Sequence, residues 1–178
     1  MEYTYIKKLE TKDRYEVIIL GGGTAGVVAA IASARTGART LLVERTGSLG
    51  GMMTTGNCGL TCYILHASNI SDQYKVEDML AKDPKSAQVI GGIPMEITSR
   101  LIKMNKAVAT DGNAGSYVFT EMAAFKTLLN EMITEAGAEV LFHTSFVDTV
   151  MDGKTVKGVV LHNKEGLVLY DGITFVDA

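Results

Sequence analysis

The chain has 178 residues, 47% of them apolar and 21% charged, with a formal net charge of −3. That length allows one domain with a core of useful size, the composition excludes a disordered chain, and the charge balance leaves no basic footprint for nucleic acid. Two cysteines exclude a disulfide scaffold, and 19 glycines beside 2 prolines point to tight backbone sites inside regular structure.

Residues 1–14 carry charges of both signs and no apolar core, so they read as an N-terminal extension and not as a secretory signal. Tyr15 to Leu20 is rich in Val and Ile and predicts a strand buried on both faces. Thr24 to Thr36 is Ala-rich and predicts a helix, with Gly37 as its stop. Thr40 to Glu44 predicts a second buried strand, completing a βαβ unit. Val17 to Ala34 is uncharged throughout, but Gly21-Gly22-Gly23 interrupts it, and the change from β-branched to Ala-rich sequence favours strand, turn and helix over one membrane span. The expectation is a cytoplasmic protein without a membrane segment.

Residues 45–138 show no further apolar strand of that kind and read as a helical insertion. A Gly-rich loop, Gly47 to Gly59, comes first, then a polar stretch. A helix is expected from Pro94, with Ile97, Leu101 and Met104 on one face. A second runs from Thr120, its N-cap, to Ala136, with Met122, Phe125, Leu129 and Met132 on one face and Gly137 as its stop. Glu139 to His143 predicts a third strand. An antiparallel meander follows: Phe146 to Met151, a turn at Asp152-Gly153, Val156 to His162, a turn at Asn163 to Gly166, and Leu167 to Tyr170. A turn at Asp171-Gly172 and a last strand, Ile173 to Val176, end the chain.

Gly21-Gly22-Gly23-Thr24-Ala25-Gly26 fits G-x-G-x-x-G between a predicted strand and a predicted helix. Gly21 permits the sharp turn, Gly23 lets a pyrophosphate approach the backbone, and Gly26 lets helix and strand pack closely. Amides at the helix start then face the phosphates. Glu44, at the end of the second strand, is placed to accept hydrogen bonds from an adenosine ribose. The motif serves FAD and nicotinamide nucleotides alike. Two features favour FAD: a second glycine pair in Leu49-Gly50-Gly51-Met52, and an insertion followed by a meander where a short crossover helix would otherwise stand.

The chain resembles the FAD-dependent oxidoreductases of the glutathione-reductase superfamily, whose pattern G-G-G-x-A-G, E-R, G-G-M-x-T-x-G is matched by Gly21 to Gly26, Glu44-Arg45 and Gly50 to Gly56. The resemblance covers residues 15–178 and implies an α/β fold: a Rossmann-like βαβ FAD-binding domain with a parallel sheet, an inserted helical region and a β-meander. It implies that Gly21, Gly23, Thr24, Ala25 and Gly26 hold the pyrophosphate, that Glu44 binds the ribose and that Arg45 lies near the adenine end. Gly50, Gly51, Met52 and Thr54 would face the phosphate and ribityl side. A backbone group at Val147, with Phe146 close behind, would meet the adenine edge. Relatives continue beyond a strand like Ile173 to Ala178 into A-T-G and an acidic Gly-Asp motif. The chain is therefore expected to be an incomplete piece of a longer enzyme, inactive alone and prone to associate with its own copies, with an independent short protein as the alternative.

Cys58 and Cys62 differ from the redox pair of flavin disulfide reductases in spacing and in distance from the glycine pair, and read as reduced thiols. No metal site is expected. His143 and His162 read as structural or surface residues, while His66 is retained as a catalytic candidate because its loop is read as facing the flavin. The expected function is FAD-dependent hydride or electron transfer on a small-molecule substrate, with no catalytic residue assignable. The alternatives are a nicotinamide-nucleotide oxidoreductase or regulatory domain without flavin, and a non-catalytic structural subunit.

Overall fold

The computed structural model describes residues 1–56, 91–109 and 118–178. It divides into two compact units, Met1–Ser48 with Ile133–Ala178, and Leu49–Met132. The first unit holds a six-stranded sheet in the order β5-β2-β1-β8-β7-β6. Its strands are β1 (Thr11–Leu20), β2 (Thr40–Val43), β5 (Glu139–Leu141), β6 (Ser145–Asp152), β7 (Thr155–Asn163) and β8 (Gly166–Asp177). β5, β2, β1 and β8 run parallel, while β8, β7 and β6 form an antiparallel meander. This is the mixed α/β architecture expected from the sequence.

Helix α1 (Thr24–Arg35) crosses from β1 to β2 and packs on both. Its buried positions are Gly26, Val27, Ala30, Ile31 and Ala34, so small residues bring the helix axis close to the sheet. Gly37 takes φ 90 and donates its N–H to the Ala34 carbonyl, ending the helix in the left-handed turn expected of it. Ile18 and Ile19 point to opposite faces of the sheet and are both fully buried, as are Leu41 and Leu42 on β2. Ile18, Leu41 and Val43 join Val159, Leu161 and Val168 of the meander in one apolar cluster. The meander thus covers one face of the parallel strands and α1 covers the other. Truncating a fully buried Ile or Leu here costs about 2–5 kcal/mol.

The structure corrects several sequence expectations. β1 begins at Thr11, not at Tyr15, because Thr11 and Asp13 to Tyr15 already pair with β8. The third strand ends at Leu141, and His143 beyond it adopts φ 50. Asp171-Gly172 is not a turn: β8 runs through it, with Asp171 opposite Gly158 and Gly172 opposite Tyr15. Pairing on both sides keeps that backbone extended. Gly172 is small for packing instead, since a Cβ there would stand 2.7 Å from the Phe175 ring.

In the second unit, α2 spans Gly92–Lys103, starting before Pro94. It buries Ile97 and Leu101 but leaves Met104 exposed, beyond its last turn. Asn105, with φ 55, closes that helix in the left-handed conformation. Two short strands absent from the sequence reading, β3 (Ala107–Ala109) and β4 (Val118–Thr120), pair antiparallel. Thr120 lies in β4, so helix α3 (Met122–Ala136) starts after Glu121, whose carbonyl accepts the Phe125 N–H. Strand pairing of Thr120 with Ala107 removes it from the cap position. Phe125, Leu128, Leu129 and Met132 are buried along α3, and Gly137 with φ 85 follows its end.

At the start of the parallel strands Arg39 ties three elements together. Its guanidinium donates to both carboxylate oxygens of Asp13 at 2.9 and 2.6 Å and to the Arg14 carbonyl at 3.0 Å, and lies 4.4 Å above the Tyr15 ring. The Arg39 guanidinium, helped by the Arg14 N–H, holds the Asp13 carboxyl below its ordinary value. Tyr15 donates its O–H to Glu139 at 2.9 Å. Burial, and then this hydrogen bond to a carboxylate, push the Tyr15 phenol from 10.0 up to about 12. The folded value lies above the unfolded one, so the neutral phenol stabilises the fold fully below about pH 10, and that contribution is lost as pH rises towards about 12. Ultraviolet difference titration should therefore find a late-ionising tyrosine near 12 that is missing from Tyr15→Phe. Ionisation of every tyrosine at the ordinary value would refute the burial of Tyr15 together with its bond to Glu139.

Candidate functional site

The glycine loop lies between β1 and α1. Gly21 takes φ 108 and donates its N–H to the Val43 carbonyl at 2.9 Å. A Cβ on Gly21 would stand 2.2 Å from the Ala178 carbonyl oxygen, so both conformation and space require glycine there. A Cβ on Gly26 would stand 1.8 Å from the Gly21 carbonyl oxygen, which explains the third glycine by close packing of α1 on the turn. Gly23 differs: a Cβ there would meet nothing within 4 Å, and its φ of −69 is ordinary. Its lack of a side chain leaves open space above the backbone, as approach of a pyrophosphate requires.

The amides of Thr24, Ala25 and Gly26 precede the first helical bond, from the Val27 N–H to the Gly23 carbonyl at 3.0 Å. No acidic residue occupies the first turn of α1, so the positive end of the helix is not offset by its own side chains. Thr24 and Ala25 are exposed there.

Glu44 follows β2 and is only 7% exposed. Its Oε2 accepts the Gly22 N–H at 2.7 Å, and its Oε1 accepts the Thr46 N–H at 2.6 Å. Two amides fix the plane of the carboxylate, while the remaining lone pairs can accept further donors. Backbone bonds hold Glu44 in place: its N–H donates to the Leu141 carbonyl at 2.8 Å, and its carbonyl accepts the Thr144 N–H at 3.0 Å. Arg45 beside it is exposed. The sequence reading missed Gly22 and Thr46, whose amides orient the carboxylate. The middle glycine of the triplet was the one available signal.

The second glycine pair opens the other unit. Gly50 takes φ 97 and Gly51 φ 51, leading into a short 3-10 turn at Gly51–Met53. A Cβ on Gly50 would stand 2.5 Å from the Thr54 side chain and 2.9 Å from Leu129. Thr54 is buried, and its hydroxyl donates to the Leu49 carbonyl, bracing the loop. Met52 is 70% exposed.

At the same end of the first unit, β5 turns into β6 next to Glu44. Val147 lies near the start of β6 where the register shifts between Phe146 and Asp148, so it has no partner of its own on β7. Both Phe146 and Val147 are about half exposed. His162 is an exposed residue of β7. Cys58, Cys62 and His66 lie outside the described residues. Among the described residues no group of three or more His, Cys, Asp or Glu could hold a metal ion, and no helix is long and apolar enough to cross a membrane.

Similarity to known proteins agrees with this geometry. A model of the FAD dependent oxidoreductase family matches residues 16–178. Digeranylgeranylglycerophospholipid reductase of Thermoplasma acidophilum is 29% identical over 154 residues, covering 86% of this chain and 36% of that protein. Mitochondrial dihydrolipoyl dehydrogenase of Pisum sativum is 27% identical over 166 residues, covering 86% of this chain and 32% of that protein. This chain thus spans about a third of the length of these relatives. Among solved structures, the myxobacterial chondrochloren halogenase CndH, described as a variant of FAD-dependent halogenases, superposes with a TM-score of 0.58 at 16% identity, covering 93% of this chain and 37% of that one. The family match separates the cofactor choices that the glycine motif alone leaves open, in favour of FAD. With a glycine loop open at Gly23, a buried carboxylate at the end of β2 and a match over residues 16–178, the chain belongs to the FAD dependent oxidoreductase family.

Proposed function

We propose that this chain is the FAD-binding portion of an oxidoreductase that acts on a small-molecule substrate in the cytoplasm, with nucleotide binding of the glutathione-reductase type. The observation that carries the reading is the hydrogen bond from the Gly22 N–H to Glu44, which makes the ribose-binding acid and the phosphate-binding loop one unit. When bound, FAD supplies the hydride and electron chemistry, and the chain binds and orients it. The amides of Thr24 to Gly26 would face the pyrophosphate across the open side of Gly23. Glu44 would accept the ribose hydroxyls, with Arg45 towards the adenine. Gly50, Gly51, Met52 and Thr54 are proposed for the phosphate and ribityl side, and the Val147 backbone for the adenine edge. Self-association of copies belongs to the same proposal.

The glycines give a test that separates binding from folding. Gly23→Val adds a side chain into open space, so thermal stability should hold while FAD binding, followed by flavin fluorescence, is lost. Gly26→Ala forces a Cβ into the Gly21 carbonyl and should lower stability by about 1–3 kcal/mol in denaturant titration. Retained FAD affinity in Gly23→Val would overturn the phosphate cradle.

Glu44→Ala removes charge-assisted hydrogen bonds worth about 1.5–3 kcal/mol, so FAD should bind about tenfold more weakly or worse. An unchanged dissociation constant in calorimetry would remove the ribose assignment.

A further inference from the structure

We propose that His143 is a positioning residue for the Glu44 carboxylate, an inference that rests on the FAD reading above. His143 occupies the turn between β5 and β6 with φ 50, a left-handed conformation uncommon outside glycine. That backbone directs its N–H to the Thr46 carbonyl at 3.1 Å, and the next residue, Thr144, donates to the Glu44 carbonyl at 3.0 Å. The corner is therefore bonded to the segment that carries the proposed ribose-binding acid.

The imidazole completes the contact. A Cβ on Gly47 would stand 2.8 Å from Cε1 and 2.9 Å from Nε2 of His143. Gly47 is not among the glycines with positive φ, so its backbone does not call for glycine. The ring of His143 occupies the space that a side chain at Gly47 would take. Within the same loop the Thr46 hydroxyl donates to the Ser48 carbonyl at 3.0 Å, and the Thr46 N–H donates to Glu44 Oε1 at 2.6 Å. Residues 45–48 are thus held on one side by the Glu44 carboxylate and on the other by His143. Without the ring, the loop keeps the His143 N–H bond to the Thr46 carbonyl but loses the packing at Gly47, so the Thr46 amide is free to shift away from the carboxylate plane. The ring acts on recognition of the ribose hydroxyls through Glu44, and not by touching the nucleotide.

The test is calorimetric titration of the full 178-residue chain with ADP and with a dideoxy analogue of ADP lacking both ribose hydroxyls. In the unsubstituted chain ADP should bind more tightly than the analogue. His143→Asn keeps a residue tolerant of the left-handed conformation but deletes the ring. It should weaken ADP by about tenfold while leaving the analogue and the thermal midpoint unchanged. Gly47→Ala, which displaces the ring from the other side, should show the same selective loss. Combining the two lets the new methyl group fill the vacated space and should recover part of the ADP preference. Equal weakening of both nucleotides, or no change in either variant, would overturn the role of His143. If the unsubstituted chain shows no preference for ADP and Glu44→Ala changes nothing, the ribose assignment itself fails, and the His143 inference falls with it.

Discussion

A carboxylate removed from water is stable only when its oxygens find donors. Glu44 meets that condition with amides from two separate segments, Gly22 of the glycine loop and Thr46 of the loop beyond β2. The surrounding architecture serves this arrangement. β2 ends beside β1 because Gly21 donates to the Val43 carbonyl, and β5 reaches the same point through the bond between Glu44 and Leu141. Three parallel strands therefore end at one polar spot, at the carboxyl edge of the sheet where nucleotide sites of this fold class form.

The glycines around that spot do different work. Gly21 answers to backbone conformation and to the approach of Ala178, Gly26 to the closeness of α1, and Gly23 to neither. Gly23 is therefore the glycine of the loop whose open side leaves room for the proposed pyrophosphate.

Much of this was legible in the sequence because it rests on local patterns. The apolar runs of β1 and β2, the Ala-rich crossover and the meander turns each follow from neighbours a few residues apart. What escaped depended on pairing at long range. Asp171-Gly172 looks like a turn by composition, yet partners at Tyr15 and Gly158 keep it straight. Thr120 looks like a helix cap, yet Ala107 claims it for a strand. At the site, Glu44 was visible from its place after β2. Gly22 and Thr46 were not, because an amide that orients a side chain leaves no mark in residue type. The residues proposed at Gly50 to Thr54 rest on a pattern match, and the bracing of that loop by the Thr54 hydroxyl on the Leu49 carbonyl is a contact that residue type alone does not announce.

The length of β8 also bears on how the molecule assembles. Gly166 to Asp171 pairs with β7 next to it in sequence, whereas Leu169 to Asp177 pairs with β1 at the opposite end of the chain. The hairpins of the meander need only short loops to close, so they can form early. The ladder between β1 and β8 must wait for the whole intervening chain to be gathered in. Since Ala178 donates to the Leu20 carbonyl just before Gly21, the turn proposed to carry the nucleotide completes its packing only when that last closure occurs. The glycine loop and the end of β8 are thus coupled through packing: the turn at Gly21 has its full set of neighbours only with β8 seated against β1.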